Sequence, residues 1–232
     1  KMEVNCIVLT KVIDVLLHNG LTTYKQKNSK ALLPEKVAAD KNDQCYKHGA
    51  IFAVRSKEHF TAQGVKGHII TSKETLLEQA HTLTHFTPNI YRTFHYTDES
   101  RRYISGFEER NLLQINTFVV DIDTKKYSPQ QITLACLDHC IGVPTLIVES
   151  DRGYQLFFAL ETPMFVSNKD NYKCLTVAKR IASNLKQSLH CIEADPFCND
   201  FGFFRMPTEQ NIVFKQLQVR YSFNELIEWS IR

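Results

Sequence analysis

Hydrophobic positions along this chain follow two periods. Val4, Ile7, Val8, Val12, Val15 and Leu16 recur at helical spacing and Gly20 follows as a stop, so a first helix is expected there. Lys25 to Lys47 is polar and lysine-rich, with Pro34 and few large apolar residues; it reads as a loop or mobile flap. Ala50–Arg55 and Gly67–Thr71 have strand character. Thr71 with Glu74 three residues on matches a capping box, predicting a helix from about Ser72 to Thr84. Ile90–Tyr96 and Tyr103–Phe107 are expected as two strands around an Asp98–Arg102 turn.

The second half is punctuated more sharply. Leu113–Ile122 predicts a strand. Ser128-Pro129 supplies an N-cap and a first-turn proline for a helix running to about Cys140. Thr145–Ser150 and Tyr154–Leu160 flank Asp151-Arg152-Gly153, a hairpin signal. Asn168 to Leu189 predicts a long helix with Leu175, Ala178, Ile181, Ala182 and Leu185 on one face. Short strands are expected near Ile192–Asp195 and Ile212–Phe214. Ser222-Phe-Asn-Glu225 is a second capping box, before a helix ending near Trp229. Strand, helix, hairpin, helix, strands is an α+β order close to the ferredoxin-like split βαβ arrangement. No repeat, low-complexity tail or Pro/Gly/Ser linker divides the chain.

The strand from Asn116 ends in Asp121-Ile-Asp123. Alternate strand residues face one side, so both carboxylates are expected to project together. Two such carboxylates repel unless a cation lies between them, which makes Asp121 and Asp123 a candidate oxygen-ligand site for Mg²⁺ or Mn²⁺. The plain alternative is a solvated pair at a strand exit.

Composition narrows the class. The chain has 232 residues, 43% hydrophobic and 23% charged, enough for one sizeable core or two joined subdomains. A net charge of +3 permits a nucleic-acid partner without requiring one. No apolar run approaches about 20 residues, so no membrane span is expected, and the charged first segment argues against a secretory signal. Seven cysteines without a CxxC pair argue against a disulfide framework and for a reducing cytoplasm. Cys136, His139 and Cys140 cluster, as do His190, Cys191 and Cys198, but neither set has the paired spacing of a structural site, so no zinc is expected.

Two further segments carry chemistry: Glu149-Ser-Asp-Arg-Gly-Tyr-Gln-Leu-Phe-Phe158, and Ala194-Asp-Pro-Phe-Cys-Asn-Asp-Phe-Gly-Phe-Phe-Arg-Met-Pro207 followed by Asn211. With the Asp-x-Asp strand, they resemble in order the three motifs of the archaeo-eukaryotic primase superfamily, primase–polymerase branch. Gly49-Ala-Ile-Phe-Ala-Val-Arg-Ser56, Phe86-Thr-Pro-Asn-Ile-Tyr-Arg92, Gln114-Ile-Asn-Thr-Phe118 and Arg220-Tyr-Ser-Phe223 resemble the N-terminal region of replication initiators of theta-replicating plasmids of Gram-positive bacteria. Those initiators are longer, so the chain is expected to correspond to an N-terminal portion. The resemblance implies one primase–polymerase-like domain over 1–232. An N-terminal αβ subdomain (1–111) would pack on an RRM-like subdomain (112–232) carrying the motifs.

Carried over by position, Asp121, Asp123 and Asp195 match the family's catalytic metal-binding triad, which holds two Mg²⁺ or Mn²⁺ ions for nucleotidyl transfer. Arg152, Gly153, Gln155 and Arg205 fall where the family contacts the nucleotide or template. Asp200 rivals Asp195, which fits the spacing to Arg205 better. Each residue has a plainer role open to it: Arg152 solvating a hairpin tip, Arg205 pairing with Asp195 or Asp200, Asp195 starting an Asx turn before Pro196. Gln155 stands where the family motif has histidine; glutamine donates a hydrogen bond but carries no charge and shuttles no proton.

DNA contacts are expected from Lys25, Lys27, Lys30, Lys36 and Lys41, and from Arg92, Arg101, Arg102 and Arg110 among Tyr91, Phe94, Tyr96 and Tyr103, since bases stack on aromatics while phosphates pair with cations. The expected function is a metal-dependent DNA primase/polymerase domain of a plasmid-type replication initiator. It would use nucleoside triphosphates and single-stranded and origin DNA. The alternative is a catalytically weak or inactive domain on the same fold, which binds and opens the origin for a host DNA polymerase. A nicking role would want a His-x-His pair, which none of the nine histidines forms.

Overall fold

The computed structural model describes residues 2–21 and 49–231. The Lys25–Lys47 segment and its five candidate DNA-binding lysines lie outside the described residues. In chain order the elements are α1 (Met2–Leu17), β1 (Ile51–Val54), β2 (Phe60–Thr61), β3 (Gly64–Lys66), β4 (His68–Ile70), α2 (Lys73–Gln79), β5 (His85–Phe86), β6 (Ile90–Tyr91), β7 (His95–Tyr96) and β8 (Tyr103–Ser105). There follow β9 (Leu112–Ile122), α3 (Pro129–His139), β10 (Leu146–Glu149), β11 (Tyr154–Phe165), α4 (Lys173–Ser188), β12 (Phe204–Arg205), β13 (Ile212–Lys215) and α5 (Phe223–Ser230). The architecture is α+β, with every strand pair antiparallel.

A central sheet has the order β13-β10-β11-β9-β6. It is covered on both faces. Phe118, Val120, Leu156 and Phe158 pack on the side of Ile132 from α3, Ile181 and Leu185 from α4 and Leu226 from α5. Val119, Phe157 and Ala159 pack on the other side, with Val12, Ile13 and Leu16 of α1 and Ile51 and Phe86 of a second sheet, β12-β5-β1-β4. A strand buried on both faces loses its polar alternation, which is why β9 reads as a continuous run. The unit β9-α3-β10, with β11 between its strands, is the split βαβ anticipated from the sequence. β13 then joins beside β10, and the far edge of β9 is taken by β6. The two halves are interleaved: β6 lies in the central sheet, while β12 pairs with β5. A third sheet, β2-β3-β8-β7, ends in a hairpin whose turn is closed by Asp98 Oδ1 accepting from the N–H groups of Arg102 and Tyr103 (2.8 Å each).

The buried polar residues of β9 fasten α1. Thr117 Oγ1 donates to the Leu16 carbonyl (3.2 Å) and Asn116 Nδ2 to that of Leu17 (3.4 Å). The Leu16 carbonyl would otherwise be an orphan helix-end acceptor; that of Leu17 also accepts from the Gly20 N–H (3.1 Å). Asn89 Oδ1 accepts from the N–H groups of Asn116 and Thr117, and its Nδ2 donates to the Thr117 carbonyl.

The capping boxes of α3 (Ser128, Gln131) and α5 (Ser222, Glu225) both form. Several expectations are corrected. The α2 cap is Ser72, whose Oγ accepts from the Thr75 N–H (3.2 Å), so Thr71 and Glu74 form no box. This helix gives way to a 3₁₀ turn at Ala80–Thr82. Ile90–Tyr96 splits between two sheets as β6 and β7. α4 starts only at Lys173, because Asn171 and Tyr172 hold left-handed backbone (φ 56° and 58°) that cannot continue a helix. Ile192–Asp195 is not a strand: a 3₁₀ turn at His190–Ile192 ends on left-handed Glu193, leaving one isolated bridge, Ala194 to Ile122. Among the described residues no helix is long and apolar enough to cross a membrane.

Candidate functional site

The site is built where β9 ends against the β10–β11 turn. Ser150 N–H donates to the Gly153 carbonyl (2.8 Å), and Gly153 N–H to Ser150 Oγ (3.1 Å). This tight turn lays Tyr154 opposite Ile122 and Gln155 opposite Asp121. Only glycine fits at 153: a Cβ there would stand 1.7 Å from the Ile122 carbonyl oxygen. The turn therefore fixes the carboxylate strand at close quarters. Gln155 is buried; its amide donates to the Asp121 carboxylate while its Oε1 accepts the Arg205 N–H (2.7 Å).

A cleft of about 730 Å³ opens here, lined by Asp121, Asp123, Arg152, Gln155 and Arg205 among others. Asp121 and Asp123 thus face one cavity, as their spacing predicts. The Asp121 carboxyl is pushed up to about 6 by burial first, then by Asp123 and Asp195, with the Gln155 amide and Arg152 pulling the other way. Asp123 pairs with Arg152 (3.2 Å), whose side chain stays largely exposed.

Asp195 sits beside this pair without lining the cleft. Its N–H donates to the Asp121 carbonyl (2.8 Å), and its Oδ1 accepts from the Phe197 N–H (2.9 Å) in an Asx turn. Its rival Asp200 is engaged elsewhere, on the buried Lys186 ammonium (2.8 Å). Among the described residues no three His, Cys, Asp or Glu side chains are grouped closely enough to hold a metal ion.

Arg205 pairs with Asp151 (2.8 Å), not with Asp195 or Asp200. Lys57, in the 3₁₀ turn after β1, pairs with the same carboxylate (2.9 Å). His85, on β5 opposite Arg205, lines the cleft and is lowered to about 4 by burial and by the Arg205 and Lys57 charges. Phe60, Phe107 and Phe203 form an aromatic wall in edge-to-face contact, with Phe60–Phe203 centroids 5.1 Å apart and Phe107–Phe203 5.5 Å. Lys57, Phe60, His85 and Phe107 escaped sequence reasoning, since they carry no motif; Phe203 lies within the third motif segment but was given no role there. Asn211 serves its own loop, accepting from the Thr208 N–H (2.7 Å) and donating to the Met206 carbonyl (2.9 Å).

Of the candidate DNA contacts, Arg101 and Arg102 share the exposed tip of the β7–β8 hairpin, with the Arg102 guanidinium over the Tyr103 ring (5.7 Å). Arg92 is placed apart from them, at the end of β6, where its Nη2 donates to the Val166 carbonyl (2.7 Å).

The fold and site together define an α+β domain whose central strand delivers two carboxylates to a cleft rimmed by cations and aromatic rings. No family model matches the chain. The chain is homologous to replication initiation proteins. It is 41% identical over 231 residues to the "Replication initiation protein" of Bacillus anthracis, a match covering 96% of this chain and 45% of that protein. It is also 41% identical over 228 residues to "Protein RepS" of Streptococcus pyogenes, covering 95% and 44% respectively. The chain thus spans a little under half the length of these relatives. Among solved structures, the AEP domain of the cyanophage S-2L primase–polymerase is similar with a TM-score of 0.47 at 9% identity, over 78% of this chain and 87% of that one.

Proposed function

We propose that this chain is the primase–polymerase-like domain of a plasmid-type DNA replication initiator, adding nucleotides on a single-stranded DNA template. The observation that carries the reading is Asp121. Two carboxylates share the cleft, and one is pushed to about 6 because burial and its neighbour disfavour its charge. A fold keeps such a pair at a cost, and a bound cation removes that cost.

The donor set fits a hard divalent ion. Mg²⁺ commonly takes one or two protein carboxylates and completes its shell with water and substrate phosphate, so Asp121 and Asp123 would hold it, with Asp195 adjacent as the third acidic group. Bound there, Mg²⁺ or Mn²⁺ supplies charge neutralisation at the transferring phosphate and a lowered pKa for the attacking hydroxyl. The chain's own residues do the rest. Gln155 orients Asp121 through its amide. Arg152, Arg205 and Lys57 offer cations to a triphosphate or strand. The Phe60, Phe107 and Phe203 wall suits an unpaired base and excludes water. Arg101 and Arg102 add phosphate contacts beyond the cleft.

The test is nucleotide incorporation on single-stranded DNA with Mg²⁺ or Mn²⁺, with and without a primer. The expected result is incorporation that disappears in an Asp121→Ala, Asp123→Ala double variant. One observation favours a second reading. Both ends of Gln155 are already engaged, and glutamine relays no proton. A domain that only binds and opens origin DNA for a host polymerase would keep DNA binding in both proteins and incorporate nothing in either.

A further inference from the structure

Two cations from distant parts of the chain meet on one exposed carboxylate at the cleft rim. Lys57 comes from the turn after β1, Arg205 from β12, and Asp151 from the β10–β11 turn. Asp151 Oδ2 lies 2.9 Å from Lys57 Nζ and its Oδ1 2.8 Å from Arg205 Nη2. We propose that Lys57 and Arg205 form a phosphate-binding subsite and that Asp151 occupies it in the free protein, as an internal competitor that an incoming phosphate displaces.

Three observations support this. The Arg205 side chain is only 15% exposed and its backbone N–H is fixed by Gln155, so the guanidinium is already aimed before any ligand arrives. The Asp151 side chain is 68% exposed and that of Lys57 54%, and an exposed ion pair of this kind adds little to stability. Replacing one bridging carboxylate with a phosphate keeps both charge-assisted bonds and brings more acceptor oxygens. His85, beside Arg205 and Lys57, is held neutral by burial and their charge, so it adds no charge to the two cations that pair with Asp151. The proposal deepens the nucleotide reading of the cleft and rests on it for the natural ligand, but the anion binding itself needs no reaction.

The test titrates inorganic tripolyphosphate into the full chain by calorimetry without divalent ions. Wild type is compared with Asp151→Asn, Lys57→Ala and the double variant. Glu108→Gln, which also removes a cleft-lining negative charge, is the control. Removing the two competing pairs is expected to tighten Asp151→Asn about three- to tenfold, clearly beyond Glu108→Gln. Lys57→Ala weakens binding, and in the double variant the gain disappears. A nucleoside triphosphate and a single-stranded oligonucleotide, run in parallel, identify the natural source as whichever shows the Asp151→Asn gain. The proposal is overturned if Asp151→Asn binds no tighter than Glu108→Gln, or if the gain survives loss of Lys57. Lys57→Ala alone decides should Asp151→Asn unfold: undiminished binding overturns the subsite. Failure of nucleotide incorporation with these shifts intact would refute the polymerase reading and leave the subsite standing.

Discussion

Asp121 makes the stability of the metal-free protein depend on pH. Its carboxyl is pushed up to about 6 in the fold, against about 3.9 in an unfolded chain. The folded state therefore holds this proton more tightly than the unfolded state does. The resulting stabilisation is fully present below about pH 4 and is lost as pH rises through about 6. At ~1.4 kcal/mol per pH unit the whole displacement is worth ~3 kcal/mol; partial exposure and relaxation of the cleft bring the expected effect to ~1–3 kcal/mol. Asp98, Asp151, Glu193 and Glu225 are all lowered by their partners and act in the opposite sense, so wild type alone is not diagnostic. The informative quantity is wild type against Asp121→Asn, which keeps an acceptor for Gln155 but cannot ionise. Urea unfolding at pH 4, 5, 6 and 7.5, with divalent ions removed, is the assay. The variant is expected to match wild type at pH 4 and to exceed it by ~1–3 kcal/mol at pH 7.5. Mn²⁺ at pH 7.5 is expected to raise the melting temperature of wild type more than that of the variant. A wild-type-minus-variant difference that stays flat across this range would refute the claim that burial and Asp123 disfavour the Asp121 charge.

Gly153→Ala forces a Cβ into the Ile122 carbonyl; overpacking of this kind costs ~1–3 kcal/mol. It is expected to displace Asp121 and Asp123 and so to lower metal-dependent thermal stabilisation as well as the melting temperature itself. Asn89→Ala removes three buried hydrogen bonds at β9 and is expected to cost at least ~2 kcal/mol by chemical denaturation, with a loss no greater than that of an exposed alanine substitution counting against the fastening role. Lys186→Met strands the Asp200 carboxylate at about 3 kcal/mol; adding Asp200→Asn should recover most of it, whereas no recovery would mean that the lysine acts through packing.

What the sequence revealed was local. β9 and the Asp151-Arg152-Gly153 turn announce themselves through a buried run and turn residues, and the α3 and α5 caps through side chains three residues apart. β5 and β12 gave no such sign. Each is two residues long: His85–Phe86 is held between β1 and β12, and Phe204–Arg205 pairs with His85–Phe86 from the other half of the chain. The late start of α4 was equally hidden, since neither Asn171 nor Tyr172 signals a left-handed backbone as a glycine would. The Thr71 cap failed for a subtler reason: Ser72 beside it offers the same hydroxyl one residue later, and pattern alone does not rank the two.

The site divides along the same line, and the division bears on its chemistry. Asp121, Asp123, Arg152, Gln155 and Arg205 line one cleft, within reach of motif reading because β9, the turn and β12 are short stretches with fixed spacing. Lys57, His85, Phe60 and Phe107 come from stretches whose sequences carry no signature, yet with Phe203 of the third motif segment they supply a cation, a neutral imidazole and the apolar surface. Where the resemblance alone assigned Arg205 to a nucleotide, the structure gives it a present partner, Asp151, and gives Arg152 another, Asp123. Arg152, Arg205 and Lys57 are each paired with a carboxylate of the same corner, Asp123 or Asp151. Binding of a phosphate must therefore exchange one set of ion pairs for another. Such an exchange is driven by the difference between carboxylate and phosphate as partners, and by relief of the Asp121–Asp123 repulsion when a cation accompanies the phosphate. Phosphate and divalent ion are thus expected to bind with positive coupling, each removing a like-charge penalty that the other leaves behind.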